Sequence, residues 1–134
     1  MTDLIDLRIA QALDLLDKKE ISSVELTRAY IAEMERADKT LNAFITQTPE
    51  LALTQAEESD ARRAKGQAGA LEGIPIAHKD VFCTKGVRTT AASRILSEFI
   101  PPYESTVSEK LQKAGTVVLG KVNTDEFAMG VSTI

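Results

Sequence analysis

Apolar residues recur at helical spacing through the first third of the chain and predict two helices. Over residues 4–18 one face carries Ile5, Ile9, Ala12, Leu13 and Leu16. Ser22 and Glu25 have the spacing of a capping box, which predicts that a second helix starts there. Its apolar positions are Leu26, Tyr30, Met34, Ala37 and Leu41. The spacing favours core packing for Tyr30 and Met34.

A third helix is predicted from Pro49 to about Lys65, since Thr48-Pro49-Glu50 is a typical start and residues 66–70 are a glycine-containing stop. The simplest interpretation of its charged residues is a solvent-exposed face with local ion pairs. These residues are Glu57, Glu58, Asp60, Arg62, Arg63 and Lys65. The short apolar stretch 41–46 before this helix is either a strand or the tail of the second helix.

Two stretches have strand character. In residues 73–80, GIPIAHKD, alternation predicts Ile74, Ile76 and His78 on one face and Pro75, Ala77 and Lys79 on the other. Pro75 lacks an amide donor and marks an edge, a strand start or a bulge. Residues 82–93 have the composition of an irregular loop.

The second strand, residues 116–120 (TVVLG), follows a predicted helix over residues 105–114. Ser105 suits the helix cap, and Gly115 suits the position after its end. Helix, glycine, strand and polar loop together indicate an α/β unit. The chain then ends at Ile134 with too few strands for a covered sheet, so we expect an N-terminal portion of a larger protein or a truncated product.

The amino-acid composition narrows the range of possible functions. Hydrophobic residues make up 43% and charged residues 27% of 134 residues, which is typical of a globular domain. Aromatic residues are scarce at 4%, and the net charge is -4, so a nucleic-acid surface is not indicated. A single cysteine favours a reduced, cytoplasmic setting. No signal peptide, membrane-length apolar run or metal-ligand spacing is visible.

Lys79, at the end of the apolar strand, is the residue with most chemical interest. It is either a solvated ammonium or a desolvated, neutral amine that acts as general base for a serine. Asp80 is not its favoured partner, because adjacent strand residues point to opposite faces. His78 is interpreted as a packed or loop-facing imidazole and Cys83 as a buried small residue. Asn123, Asp125 and Glu126 either line a site or begin a helix.

Residues 73–80 resemble the opening motif of the amidase signature family, and residues 120–130, GKVNTDEFAMG, resemble its next segment. Residues 21–27, 41–46 and 125–130 are similar to the branch that provides the glutaminase of amidotransferases acting on glutamyl-tRNA(Gln) or aspartyl-tRNA(Asn). The resemblance implies an α/β fold, the amidase signature α/β/α layers with a mixed sheet. Residues 1–70 would be a helical lead-in, and residues 71–134 the start of the catalytic core.

By this resemblance Lys79 is the catalytic lysine, and Met129 and Gly130 bind substrate. The family's nucleophilic and bridging serines belong to a Gly/Ser-rich segment that does not occur before Ile134, and neither Ser93 nor Ser132 has the right context. Glutamine hydrolysis would release ammonia to the B subunit of the amidotransferase, which amidates misacylated tRNA with ATP and Mg²⁺. The C subunit would be a small adaptor, and this chain would hold no cofactor.

Two alternatives stay open at this point. One is a standalone amidase of the same family that acts on small amides, against which the Asp125-Glu126 pair speaks. The other is a non-catalytic fragment that keeps part of a subunit interface. The resemblance does not decide between glutamyl-tRNA and aspartyl-tRNA.

Overall fold

A computed structural model describes residues 3–131 and shows a three-stranded mixed sheet with helices packed against it. The strands, in the spatial order β1-β3-β2, are β1 (Phe44–Gln47), β2 (Pro75–Lys79) and β3 (Val117–Val122). The helices are α1 (Ile9–Asp17), α2 (Ser23–Leu41), α3 (Pro49–Ala64) and α4 (Thr106–Lys113). An α/β fold with a mixed sheet confirms the predicted class.

Strand β3 is the central strand and the most buried of the three. Val117 and Leu119 are buried with Ala52 and Ala56 of α3. β1 pairs with β3 antiparallel, whereas β2 pairs with it in parallel, so that Lys79 lies opposite Val122. β2, α4 and β3 therefore form a parallel βαβ unit, and the carboxyl ends of β2 and β3 meet at one edge of the sheet.

Gly120 allows β1 to approach this central strand closely. A Cβ atom at that position would lie 2.3 Å from the carbonyl oxygen of Thr46, and the backbone has a φ of +156°. Both features require glycine.

The helix signals in the sequence are largely confirmed. Ser22 and Glu25 form both bonds of the capping box, Pro49 opens α3, and Ser105 caps α4. Residues 41–46 contribute β1, because Asn42 adopts a left-handed conformation that ends α2. Met34 is buried, and the half-buried Tyr30 hydroxyl donates to the Ile5 carbonyl at 3.3 Å.

The first predicted helix is divided, and this corrects its expected face. A 3₁₀ turn, Leu4–Asp6, is followed by extended backbone at Leu7 and Arg8 before α1 begins. The break changes the helical phase, so Ile9 is 55% exposed and not on the buried face. At the end of α2, Leu41 is likewise 70% exposed.

The expectation of local ion pairs along α3 was wrong for three residues. Asp60 accepts hydrogen bonds from the amides of Ser23 (2.7 Å) and Val24 (3.1 Å) and so caps α2. Arg62 forms an ion pair with the buried Glu72 at 2.8 Å. Arg63 reaches Asp17 of α1 at 2.5 Å. These distant partners connect α3 to α1, α2 and the segment before β2.

Replacing Asp60 by Ala tests this connection. We expect the free energy of unfolding to fall by about 1–2 kcal/mol, because two amides at the start of α2 lose their acceptor. Urea unfolding monitored by circular dichroism measures the change. Asp14→Ala is the matched control, since Asp14 forms an exposed ion pair with Lys18 and its loss is expected to cost under about 0.5 kcal/mol. Equal losses in the two variants would contradict the capping role.

Candidate active site

The carboxyl end of β2 presents two successive charged residues to opposite sides. Lys79 is exposed, and no residue in the range 3–131 forms an ion pair with it. Asp80 is completely buried. The predicted separation of these two side chains is therefore confirmed, and Asp80 does not hold the Lys79 ammonium.

The partner of Asp80 is Lys121 of β3, which sequence reasoning missed. Both side chains are 0% exposed, and the Lys121 Nζ atom lies 3.3 Å from the Asp80 Oδ1 atom. Asp80 Oδ2 accepts from the Thr90 amide at 3.0 Å and from the Thr90 hydroxyl at 2.5 Å. Lys121 Nζ also donates to the Phe82 carbonyl at 2.8 Å and to the Thr89 hydroxyl at 2.9 Å. We call these four side chains and the Phe82 carbonyl the buried charge network.

The electrostatics of this network follow from its burial. Burial lowers the pKa of Lys121, and the negative charge of Asp80 opposes that shift. Burial and the nearby Lys121 charge both lower the pKa of His78, against a smaller opposing effect of Glu104. The Asp80 carboxylate therefore favours the ammonium form of Lys121, and burial opposes it.

The loop that follows β2 is connected to the loop that follows β3. Ala91 donates its amide to the Asp80 carbonyl at 2.9 Å, and its own carbonyl accepts from the Phe127 amide at 2.8 Å. The Ser93 hydroxyl donates to Glu126 Oε1 at 2.7 Å. Both loops are thus fixed relative to the sheet edge at which Lys79 emerges.

A cleft of about 660 Å³ opens beside the loop after β3. Its lining comes from one residue of the first loop and seven of the second: Ala92, Asn123, Thr124, Asp125, Glu126, Phe127, Met129 and Gly130. Glu126 begins a 3₁₀ turn, Glu126–Ala128, in which Phe127 has a left-handed φ of 50°. Asn123, Asp125 and Glu126 therefore line a cleft, and no regular α-helix starts there.

The structure brings some of the predicted site residues together. Met129 and Gly130 both line the cleft, and Met129 is 86% exposed. A Cβ atom at Gly130 would lie 2.8 Å from the carboxyl carbon of Asp125, so glycine keeps this part of the cleft open. Lys79 does not line the cleft; it emerges from the neighbouring strand end.

Two further expectations have different outcomes. His78 is buried, as predicted for a packed imidazole. Cys83 is only half-buried, which corrects the expectation of a buried residue: its loop runs along the surface, and its Sγ atom lies 3.7 Å from the exposed Tyr103 hydroxyl. Within residues 3–131 there is no group of three acidic, histidine or cysteine side chains arranged to hold a metal ion. Over the same residues no helix is both long and apolar enough to cross a membrane.

Comparison with known proteins defines the family. The model of the family described as Amidase matches residues 25–134. The chain belongs to the amidase family.

One relative in this family is the A subunit of the glutamyl-tRNA(Gln) amidotransferase of Rhodospirillum rubrum. It is 60% identical over 131 residues, which cover 98% of this chain and 26% of the relative. Curated relatives of the same name from other bacteria match at similar identity. The chain thus spans about a quarter of the length of the relatives it matches.

Solved structures of the family share the fold. The peptide amidase from Stenotrophomonas maltophilia matches with a TM-score of 0.87 and 34% identity, over 96% of this chain and 27% of that one. The A subunit of the glutamyl-tRNA(Gln) amidotransferase from Thermotoga maritima matches with a TM-score of 0.74 and 32% identity, over 97% of this chain and 25% of that one. The fold seen here therefore occurs within longer amidase-family chains.

The lowered pKa of His78 predicts a pH effect on stability. The folded state favours neutral His78, so its contribution is fully present above the unfolded pKa of 6.5 and is lost as the pH falls from there toward the folded pKa. We expect the free energy of unfolding to fall more steeply below pH 6.5 in the wild type than in His78→Gln. Urea unfolding between pH 8 and pH 5 measures both slopes. Equal slopes in the two proteins below pH 6.5 would contradict the prediction. As the control, the difference in free energy of unfolding between the wild type and His78→Gln is expected to be constant between pH 7.5 and pH 8.

Proposed function

We propose that this chain supplies the catalytic lysine and part of the substrate cleft of a glutaminase that serves a tRNA-dependent amidotransferase. The main support is the 60% identity, over nearly the whole chain, to relatives named as the A subunit of glutamyl-tRNA(Gln) amidotransferase. Residues 1–134 correspond in this proposal to the N-terminal part of one amidase domain.

Lys79 is the proposed general base. Its Nζ atom, when neutral, accepts a proton from a bridging serine, which takes one from the nucleophilic serine as that oxygen attacks the carboxamide carbon of glutamine. Lys79 then returns the proton, through the bridging serine, to the amide nitrogen of the substrate. The carbon–nitrogen bond breaks and ammonia leaves. Water finally hydrolyses the acyl-enzyme to glutamate. Lys79 is exposed in the described structure, so in this proposal other parts of an amidase domain cover it and exclude water.

The serines of this mechanism are not assigned to the described residues. Ser93 is buried, and its hydroxyl is already engaged by Glu126 at 2.7 Å, which supports a structural role. Ser132 lies outside the described residues. The relatives are about four times longer than this chain, and we assign both serines to sequence beyond it.

Met129 and Gly130 are the proposed substrate-binding residues. Both line the cleft, and Gly130 leaves room where any side chain would meet Asp125. The cleft lies at the carboxyl edge of parallel strands, where ligands bind in open α/β sheets. The acidic side chains of Asp125 and Glu126 in its lining suit the ammonium group of glutamine.

Partners and cofactors follow from the amidotransferase assignment. The B subunit would take the ammonia and use ATP and Mg²⁺ to amidate misacylated tRNA, and the C subunit would join the two. This chain would hold no cofactor, and its net charge of -4 suits an indirect contact with tRNA through the B subunit. A cytoplasmic location is part of the same proposal.

A standalone amidase is the second candidate, and the similarity to a peptide amidase favours it. That structure has the higher TM-score, 0.87 against 0.74 for the Thermotoga maritima protein. Sequence identity gives stronger support to the amidotransferase, since identity to the Rhodospirillum rubrum protein is 60% against 34% for the peptide amidase.

A chimeric enzyme tests the proposal. Residues 1–134 replace the matching part of the Rhodospirillum rubrum A subunit, and the chimera is assembled with the B and C subunits. We expect glutaminase activity in the chimera and a loss of about 10²–10⁴-fold in kcat for Lys79→Ala, because the general base is removed. Glutamate release at saturating glutamine measures it.

Lys85→Ala is the matched control, since Lys85 is an exposed lysine in the loop after β2 and outside the proposed site. Full activity of the Lys79→Ala chimera would contradict the assignment of Lys79. Activity on small amides that does not depend on the B and C subunits would support the standalone amidase instead. A folded but inert wild-type chimera would indicate a non-catalytic chain.

A further inference from the structure

The buried charge network has no part in the proposed chemistry, yet it adjoins Lys79 directly. Asp80 and Lys121 are both 0% exposed. Replacing a buried ion pair by apolar residues of similar volume is often neutral or stabilising, so stability alone is a weak explanation for such a pair. Its geometry points to a different role.

On one side the network holds the main chain around Lys79. The Asp80 amide donates to the Val122 carbonyl at 3.0 Å, and the Phe82 amide donates to the Lys79 carbonyl at 3.0 Å. Lys121 Nζ binds the Phe82 carbonyl at 2.8 Å. The backbone that directly follows Lys79 is thus tied to β3, although the Lys79 side chain itself is exposed.

On the other side the network reaches the cleft. Asp80 binds Thr90 through its carboxylate and Ala91 through its carbonyl oxygen. Ala91 and the next residue have left-handed φ values of 51° and 56°, a sparsely populated conformation that surrounding contacts must hold. The Ala91 carbonyl then accepts the amide of Phe127, inside the turn that precedes Met129.

We propose that Asp80 and Lys121 are positioning residues that hold Lys79 and the cleft turn 126–130 in one rigid arrangement. The proposal deepens, and rests on, the proposed glutaminase function. Neither residue touches substrate; each acts through the backbone it fixes. Displacing a catalytic group by about 1 Å can cost roughly 10²-fold in rate, so loosening this network changes kinetics as well as stability.

The test uses the assembled chimeric amidotransferase. Asp80→Asn removes the charge at nearly constant shape. Thr90→Val removes, at nearly constant volume, the hydroxyl that donates to Asp80 and accepts from the Ala92 amide. For both we expect kcat to fall by about tenfold or more and KM to rise, because base and cleft are displaced together. Thr90→Ser keeps the hydroxyl and is expected to restore kcat to within about threefold of the wild type.

A matched control separates positioning from simple destabilisation. Leu26→Ala leaves a cavity in the apolar cluster of Ala12, Leu16 and Ile74 and is expected to destabilise the fold. The Leu26 side chain does not belong to the buried charge network. At a temperature at which all variants are folded, the kcat and KM of Leu26→Ala are expected to match the wild type. Network variants that behave kinetically like Leu26→Ala would overturn the proposal.

A second readout keeps the proposal testable if the proposed function fails. Amide hydrogen exchange in the same preparations should accelerate at Phe82 and Phe127 in Asp80→Asn and not in Leu26→Ala. Unchanged exchange at both amides would overturn the positioning role whatever the activity. An inactive wild-type chimera would overturn the glutaminase function alone, and an active Lys79→Ala chimera would overturn the assignment of Lys79 as its general base.

Discussion

The rest of the structure depends on a constraint at the carboxyl edge of the sheet: two opposite charges are buried on adjacent parallel strands. Asp80 directly follows β2, Lys121 lies near the end of β3, and neither is accessible to water. A buried charge without a partner costs several kcal/mol, so each residue requires the other in place. This mutual requirement fixes the register of β2 against β3 and closes the loop between Asp80 and Thr90.

The same buried pair determines which groups are exposed at this edge of the sheet. Because strand residues alternate between faces, fixing Asp80 inward directs Lys79 outward. The closed loop continues to Ser93, which binds Glu126 beside the cleft. The exposed Lys79 amine and a polar cleft therefore occupy one edge of the sheet, and the helices α2 and α3 support that edge through the core around Val117.

Local signals predicted much of the fold, and distant contacts were not predictable from them. The Ser22 capping box, Pro49 and the Ser105 cap act within one helical turn, so the sequence shows them directly. Asp60 and Lys121 find partners 37 and 41 positions away, a separation that periodicity does not encode. For the site, family resemblance supplied Lys79, Met129 and Gly130. The structure places the last two in the cleft, and their roles stay predictions.

A double-mutant cycle on Asp80→Asn and Lys121→Met measures the central claim most directly. Urea unfolding of the wild type, both single variants and the double variant gives the coupling free energy between the two side chains. We predict that each single variant is strongly destabilised and that the double variant recovers part of the loss, with a coupling of about 2 kcal/mol or more. Additive losses, with a coupling near zero, would contradict the dependence of this edge on the buried pair.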